Sequence, residues 1–131
     1  MPTELLCLAL MGLLSLVAFL PASFGKFRTW GRGWAGSNRD SVPDRDLPLW
    51  VGRCERAHNN LKDNLPGFAI AVILILMAGR YSSVTSTACM IYVSGRVLHF
   101  VSYGLGLRWG RILGFAAGLF SNIYLFIVLF R

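Results

Sequence analysis

The sequence predicts an all-α membrane protein, a single domain over residues 1–131 folded as an up-and-down bundle of four membrane-spanning helices. Apolar residues make up 55% of the chain and its mean hydropathy is +0.56, more than a soluble fold of this length carries. Apolar runs at about residues 5–20, 65–78, 84–107 and 112–130 approach the roughly 20 residues a helix needs to cross a bilayer. The second and third connections are short, and short connections set consecutive helices antiparallel.

The first helix is expected over about residues 4–20. Pro2 and Thr3 suit a helix start, and Glu4 meets the positive end of the helix dipole. A secretory signal opens on basic residues; Met1-Pro2-Thr3-Glu4 carries an acid instead, so this run reads as a retained span. Residues 21–48 read as a polar loop, because Gly25, Gly31, Gly33, Gly36, Pro43 and Pro48 interrupt helical periodicity. Trp30, Trp34 and Trp50 fit an aromatic belt at headgroup level, beside basic residues that meet anionic lipid.

The second apolar run is too short to span alone. Its helix reaches spanning length by starting near Leu49, over about residues 49–79, and so carries Arg53, Arg56, Asn59, Asn60 and Asp63 with it. A polar turn then leads to a third helix over about 84–107, and Gly104, Gly106 and Gly110 loosen the approach to a fourth over about 111–130. Gly79, Gly95, Gly114 and Gly118 are small residues that let helices approach closely in a membrane, the last two as a GxxxG step.

The net charge of +7 reflects topology rather than a nucleic-acid surface. Lys26, Arg28, Arg32, Arg39, Arg45, Arg53 and Arg56 lie in or just beyond the first connection and Arg108 and Arg111 in the third, while the other side has only Arg80 and Arg131. The positive-inside rule therefore puts the long loop in the cytoplasm and both termini on the opposite side. Cys7, Cys54 and Cys89 are odd in number and form no CxxC, so neither a disulfide framework nor a zinc site is indicated. His58 and His99 lack a third ligand at metal spacing, and no metal is expected.

The polar residues inside the spans carry the functional signal. Arg53, Arg56, Asn60 and Asp63 recur at i, i+3, i+7 and i+10, one face of the second helix; Arg96, His99 and Tyr103 do the same at i, i+3 and i+7 on the third. An intramembrane arginine costs at least ~2.5 kcal/mol on insertion scales, so it faces a partner or a watery cavity. Asp63 is an available counter-charge for Arg96 or Arg56. Mutual pairing that merely holds the bundle together would need one such pair, whereas three arginines, two asparagines, a histidine and a tyrosine against one aspartate leave positive charge and donors in excess. An anionic ligand bearing carboxylates, with an amine for Asp63, completes the set.

The segment Arg53-Cys54-Glu55-Arg56-Ala57-His58-Asn59-Asn60-Leu61-Lys62-Asp63-Asn64-Leu65-Pro66 resembles the second-helix signature of the membrane-associated proteins in eicosanoid and glutathione metabolism, the MAPEG family, which reads roughly E-R-x-x-R-A-x-x-N-x-x-E-x-x-P. Gly95-Arg96-Val97-Leu98-His99-Phe100-Val101-Ser102-Tyr103 similarly resembles the third helix of its prostaglandin E synthase branch, G-R-x-x-H-x-x-x-Y. Ser37-Asn38-Arg39-Asp40 resembles short bacterial members, which implies a bacterial inner membrane. The resemblance implies a homotrimer that binds glutathione as thiol cosubstrate near the cytoplasmic face, between subunits. Arg53, Arg56, Asn60 and Asp63 would hold the peptide's charged ends, Arg96, His99 and Tyr103 would line the pocket, and Arg111 or Arg108 would favour the thiolate, which then conjugates or reduces a lipophilic electrophile arriving from the bilayer. Gly52 stands in place of the first glutamate of the signature, and Asp63, one methylene shorter, in place of the last. Two other readings remain: a catalytically silent relative that binds lipid or serves structure, and a small multidrug exporter, which would need a membrane-embedded acid in the first helix where only Glu4, at its end, is present.

Overall fold

The computed structural model describes residues 1–131 and consists of helices without strands: α1 (Thr3–Val17), α2 (Leu20–Ala35), α3 (Leu49–Met77), α4 (Ser83–Leu105) and α5 (Arg108–Phe130). Four segments are long and apolar enough to cross a membrane: Thr3–Ala35, which joins α1 to α2, then α3, α4 and α5. Their outward faces are apolar, with Leu16 and Phe120 among the most exposed large side chains, as expected when lipid is the solvent.

The first span differs from the loop expected at 21–48, because the first half of that segment is helix. Ala18 and Phe19 keep right-handed helical backbone between α1 and α2. Pro21, which lacks an N–H and crowds the carbonyl four residues earlier, explains why the ladder breaks there without the chain turning away. Glycine in a helix interior costs only about 1 kcal/mol, and Gly25 offsets that by packing: a Cβ on it would collide with Val51 and Trp50 of α3. The helical path truly breaks at Gly31, at φ 85°. Thirty-three residues at ~1.5 Å each reach about 50 Å, well past the ~30 Å hydrocarbon core, so most of α2 stands at and beyond the headgroups. The remaining loop folds back on α2. Trp30 Nε1 donates to the Arg45 carbonyl at 2.8 Å and Trp34 Nε1 to that of Ser41 at 3.1 Å, so these two indoles fasten the loop rather than forming a free interfacial belt.

At the other end, Ser82 caps α4 in a capping box with Thr85. Glu4 is buried there and accepts from the Thr85 hydroxyl at 2.6 Å and the Ser86 hydroxyl at 2.9 Å. This acid joins the start of α1 to the start of α4, so those two helices run parallel. Arg80, in the α3–α4 turn, donates to the Val128 and Leu129 carbonyls at 3.1 and 3.2 Å, satisfying the exposed C-terminus of α5. The connections alternate up and down, and Phe68 of α3 stacks on Tyr92 of α4 at 3.9 Å between centroids in the core.

The closest pair is α4 and α5. A Cβ on Gly95 would lie 2.9 Å from the Gly114 carbonyl oxygen and 3.0 Å from the Gly118 nitrogen, so the two backbones touch directly. Gly106, left-handed at φ 77°, ends α4 and lets α5 begin at Arg108, about one turn earlier than the fourth helix was expected.

Candidate functional site

Two abutting cavities lie between α3, α4 and α5, at the end of the bundle where α3 and α5 begin. The larger, about 520 Å³, is lined by Arg56, Asn59, Asn60 and Asp63 from α3, His99 and Tyr103 from α4, and Arg111, Ile112, Phe115 and Ala116 from α5. The smaller, about 290 Å³, is lined by Arg53 and Arg56, by Ser102, Tyr103, Gly106 and Leu107, and by Arg108 and Arg111. Helical spacing explains the convergence: Arg56, Asn59, Asn60 and Asp63 fall at i, i+3, i+4 and i+7, and His99 and Tyr103 at i and i+4.

Tyr103 is the hinge between the two cavities. Its hydroxyl accepts from Arg56 Nε at 3.3 Å, and the guanidinium carbons of Arg56 and Arg111 lie 5.8 and 5.1 Å from its ring centroid. His99 stands edge-on to it at 5.5 Å. The His99 Nδ1 is 2.9 Å from the Arg111 carbonyl oxygen. A carbonyl only accepts, so Nδ1 carries the proton, and this bond fixes the first turn of α5, with Arg111, against α4.

Of the residues singled out in the sequence, Arg56, Asn60, Asp63, His99, Tyr103 and Arg111 share the larger cavity. Arg53 and Arg108 belong to the smaller one, where Arg53 Nε donates to the Gly104 carbonyl at 3.2 Å. Arg96 stands behind the wall, 1% exposed, and donates from Nη1 to Asn60 Oδ1 at 2.8 Å. The ion pair expected between Asp63 and Arg96 or Arg56 does not form; the one ion pair in the chain joins Lys26 to Glu55. The glycines of α5 account for this. A Cβ on Gly118 would lie 2.7 Å from Arg96 Nε, so a glycine there admits the guanidinium between α4 and α5. In that space it lies 5.5 Å over the Phe115 ring and 5.7 Å over that of Tyr92.

Asn59 lines the larger cavity but falls outside the stripe counted from Arg53; its i+3 spacing from Arg56 is the signal that finds it. Asp63, Asn59 and Arg56 lie at the open side of the bundle within a spanning helix. Polar groups so placed call for a ligand or another chain to cover them.

The geometry can hold a zwitterion with extra negative charge: two guanidiniums and two amides face one carboxylate across a cavity whose far wall, Ile112, Phe115 and Ala116, is apolar. No curated protein matches the chain. The model of the MAPEG family matches residues 3–131, essentially the whole length. With four spans in up-and-down order and the polar stripes of α3 and α4 meeting in one cavity, the chain belongs to the MAPEG family.

Proposed function

We propose that the larger cavity binds glutathione and that the protein is a glutathione-dependent membrane enzyme of transferase or peroxidase type. MAPEG proteins include glutathione-dependent transferases and peroxidases and also non-catalytic members. The observation that carries the reading is the charge of the cavity: Arg56 and Arg111 against Asp63 leave one positive charge, the complement of a tripeptide with two carboxylates and one ammonium. Arg56 and the asparagine amides take carboxylates, Asp63 takes the amine, and Arg111, on the first turn of α5, favours thiolate over thiol by charge attraction and by the helix dipole. The apolar wall of Ile112, Phe115 and Ala116 receives the lipophilic partner from the bilayer. In transfer, the thiolate sulfur bonds the electrophilic carbon and either a leaving group departs with its bonding pair or the π pair of a polarised double bond shifts to the neighbouring atom, which takes a proton from water. In reduction, it bonds one peroxide oxygen, the alcohol leaves, and a second thiol releases water and forms the disulfide.

The open side of the cavity supports a homotrimer in which a neighbouring subunit covers Asn59 and Asp63. The charge asymmetry supports a cytoplasmic site, with both termini on the opposite side.

The test is calorimetric titration of glutathione into the detergent-purified protein beside Arg56→Ala. Removing one charge-assisted contact weakens binding by about tenfold or more, with the helical content unchanged. Equal binding by both proteins, or binding lost only because the variant unfolds, would return the stripe to a structural role.

A further inference from the structure

The smaller cavity holds an arrangement that a tripeptide does not explain. Arg53, Arg56, Arg108 and Arg111 surround about 290 Å³ together with Ser102 and Tyr103, and no acid lines it. The only ion pair in the chain lies elsewhere, between Lys26 and Glu55, so these four guanidiniums have no counter-charge within the chain. Glutathione in the larger cavity accounts for Arg56, Arg111 and Asp63. Arg53 and Arg108 then remain as two further positive charges, each outside that cavity.

We propose that this basin binds a phosphate monoester, the common small oxyanion with two negative charges. Guanidinium forks match phosphate oxygens bidentately, and hydroxyls supply further donors. Several features of the basin support it. Arg53 is held in place by its Nε bond to the Gly104 carbonyl at 3.2 Å, which leaves its terminal nitrogens for a ligand. Gly106 keeps the path clear, since a Cβ there would lie 3.3 Å from Arg53 Cζ. The α5 N-terminus begins at Arg108 with no side-chain cap, and the volume is several times the ~30 Å³ share of one water. Arg53 is only about 6 Å into α3 and Arg108 is the first residue of α5, so the basin lies at the membrane boundary, where both lipid headgroups and soluble phosphate esters reach.

The two sources are separable by probe. Glycerol 3-phosphate titrated into the detergent-purified protein tests the soluble ester, and nanodiscs containing phosphatidic acid, against pure phosphatidylcholine, test the lipid. Saturable binding of the first supports a soluble ligand; preferential retention of phosphatidic acid alone supports a lipid. In either case Arg53→Gln with Arg108→Gln should weaken binding by at least about tenfold, and Arg53→Lys with Arg108→Lys should recover part of it. Binding of neither probe above a chloride or phosphatidylcholine control would overturn the proposal, as would binding that persists in the glutamine variant. Glutathione titrated into the same preparation keeps this result separate from the thiol reading, because failure of phosphate binding with glutathione binding intact counts against the basin alone.

Discussion

A charged side chain survives inside a spanning helix only where something accounts for it, and Glu4 and Arg96 show two ways this happens. Glu4 is satisfied within the chain by two hydroxyls of α4. Glu4→Gln keeps the shape and lowers the charge on a buried acceptor; we expect a loss of about 1–3 kcal/mol, read as a lower unfolding midpoint in detergent, and an unchanged midpoint would mean the hydroxyls do not fasten α1 to α4. Arg96 is different: Nε and Nη2 have no partner, and only Nη1 is used, on Asn60. Replacing this cation by an apolar chain of similar length removes the cost of holding unpaired guanidinium nitrogens away from water, which offsets the single hydrogen bond lost. Arg96→Met should therefore keep the midpoint while weakening glutathione binding about tenfold, because the Asn60 amide loses the bond that orients it. Unchanged affinity would show that Asn60 is not held for a ligand.

At the scale of elements, the α4–α5 contact sets the site. A Cβ on Gly114 would lie 2.9 Å from His99 Cα and closer still to the Gly95 carbonyl oxygen, so Gly114→Ala should separate the helices, cost about 1–3 kcal/mol and loosen the His99–Arg111 bond that seats α5. Gly12→Ala, with nothing within 4 Å of the added carbon, is the control and should be neutral or slightly stabilising; equal loss in both would refute the contact's special role. The three later spans and the α3 and α4 stripes are legible in the sequence because polar residues that recur with the helical period inside an apolar run must share one face of a helix. What is illegible depends on tertiary packing. Glycine reads as a breaker, yet Gly25 is helical because it fits beneath Trp50 and Val51. Arg96 reads as a wall residue by spacing, yet Gly118 of the next helix draws it inward, a coupling between helices that no single-helix pattern records. Asn59 is legible at i+3 from Arg56, but a stripe that starts at Arg53 leaves it out.

For the molecule as a whole, Lys26, Arg28, Arg32, Arg39 and Arg45 belong to the α2 and loop side, which also carries Arg108 and Arg111. A single cysteine introduced at Ser41, in a Cys54→Ser background, should react with a membrane-impermeant maleimide only from the cytoplasmic side; labelling from outside would invert the topology. The proposed trimer accounts for polar residues left open on one subunit, and native mass spectrometry of the detergent complex should give three chains. The most direct measurement is thiolate absorbance as glutathione is titrated into the intact protein. The thiolate site predicts a saturable rise that Arg56→Ala weakens, whereas saturable binding without any thiolate, or no binding, would contradict it and leave the silent lipid-binding relative as the better description.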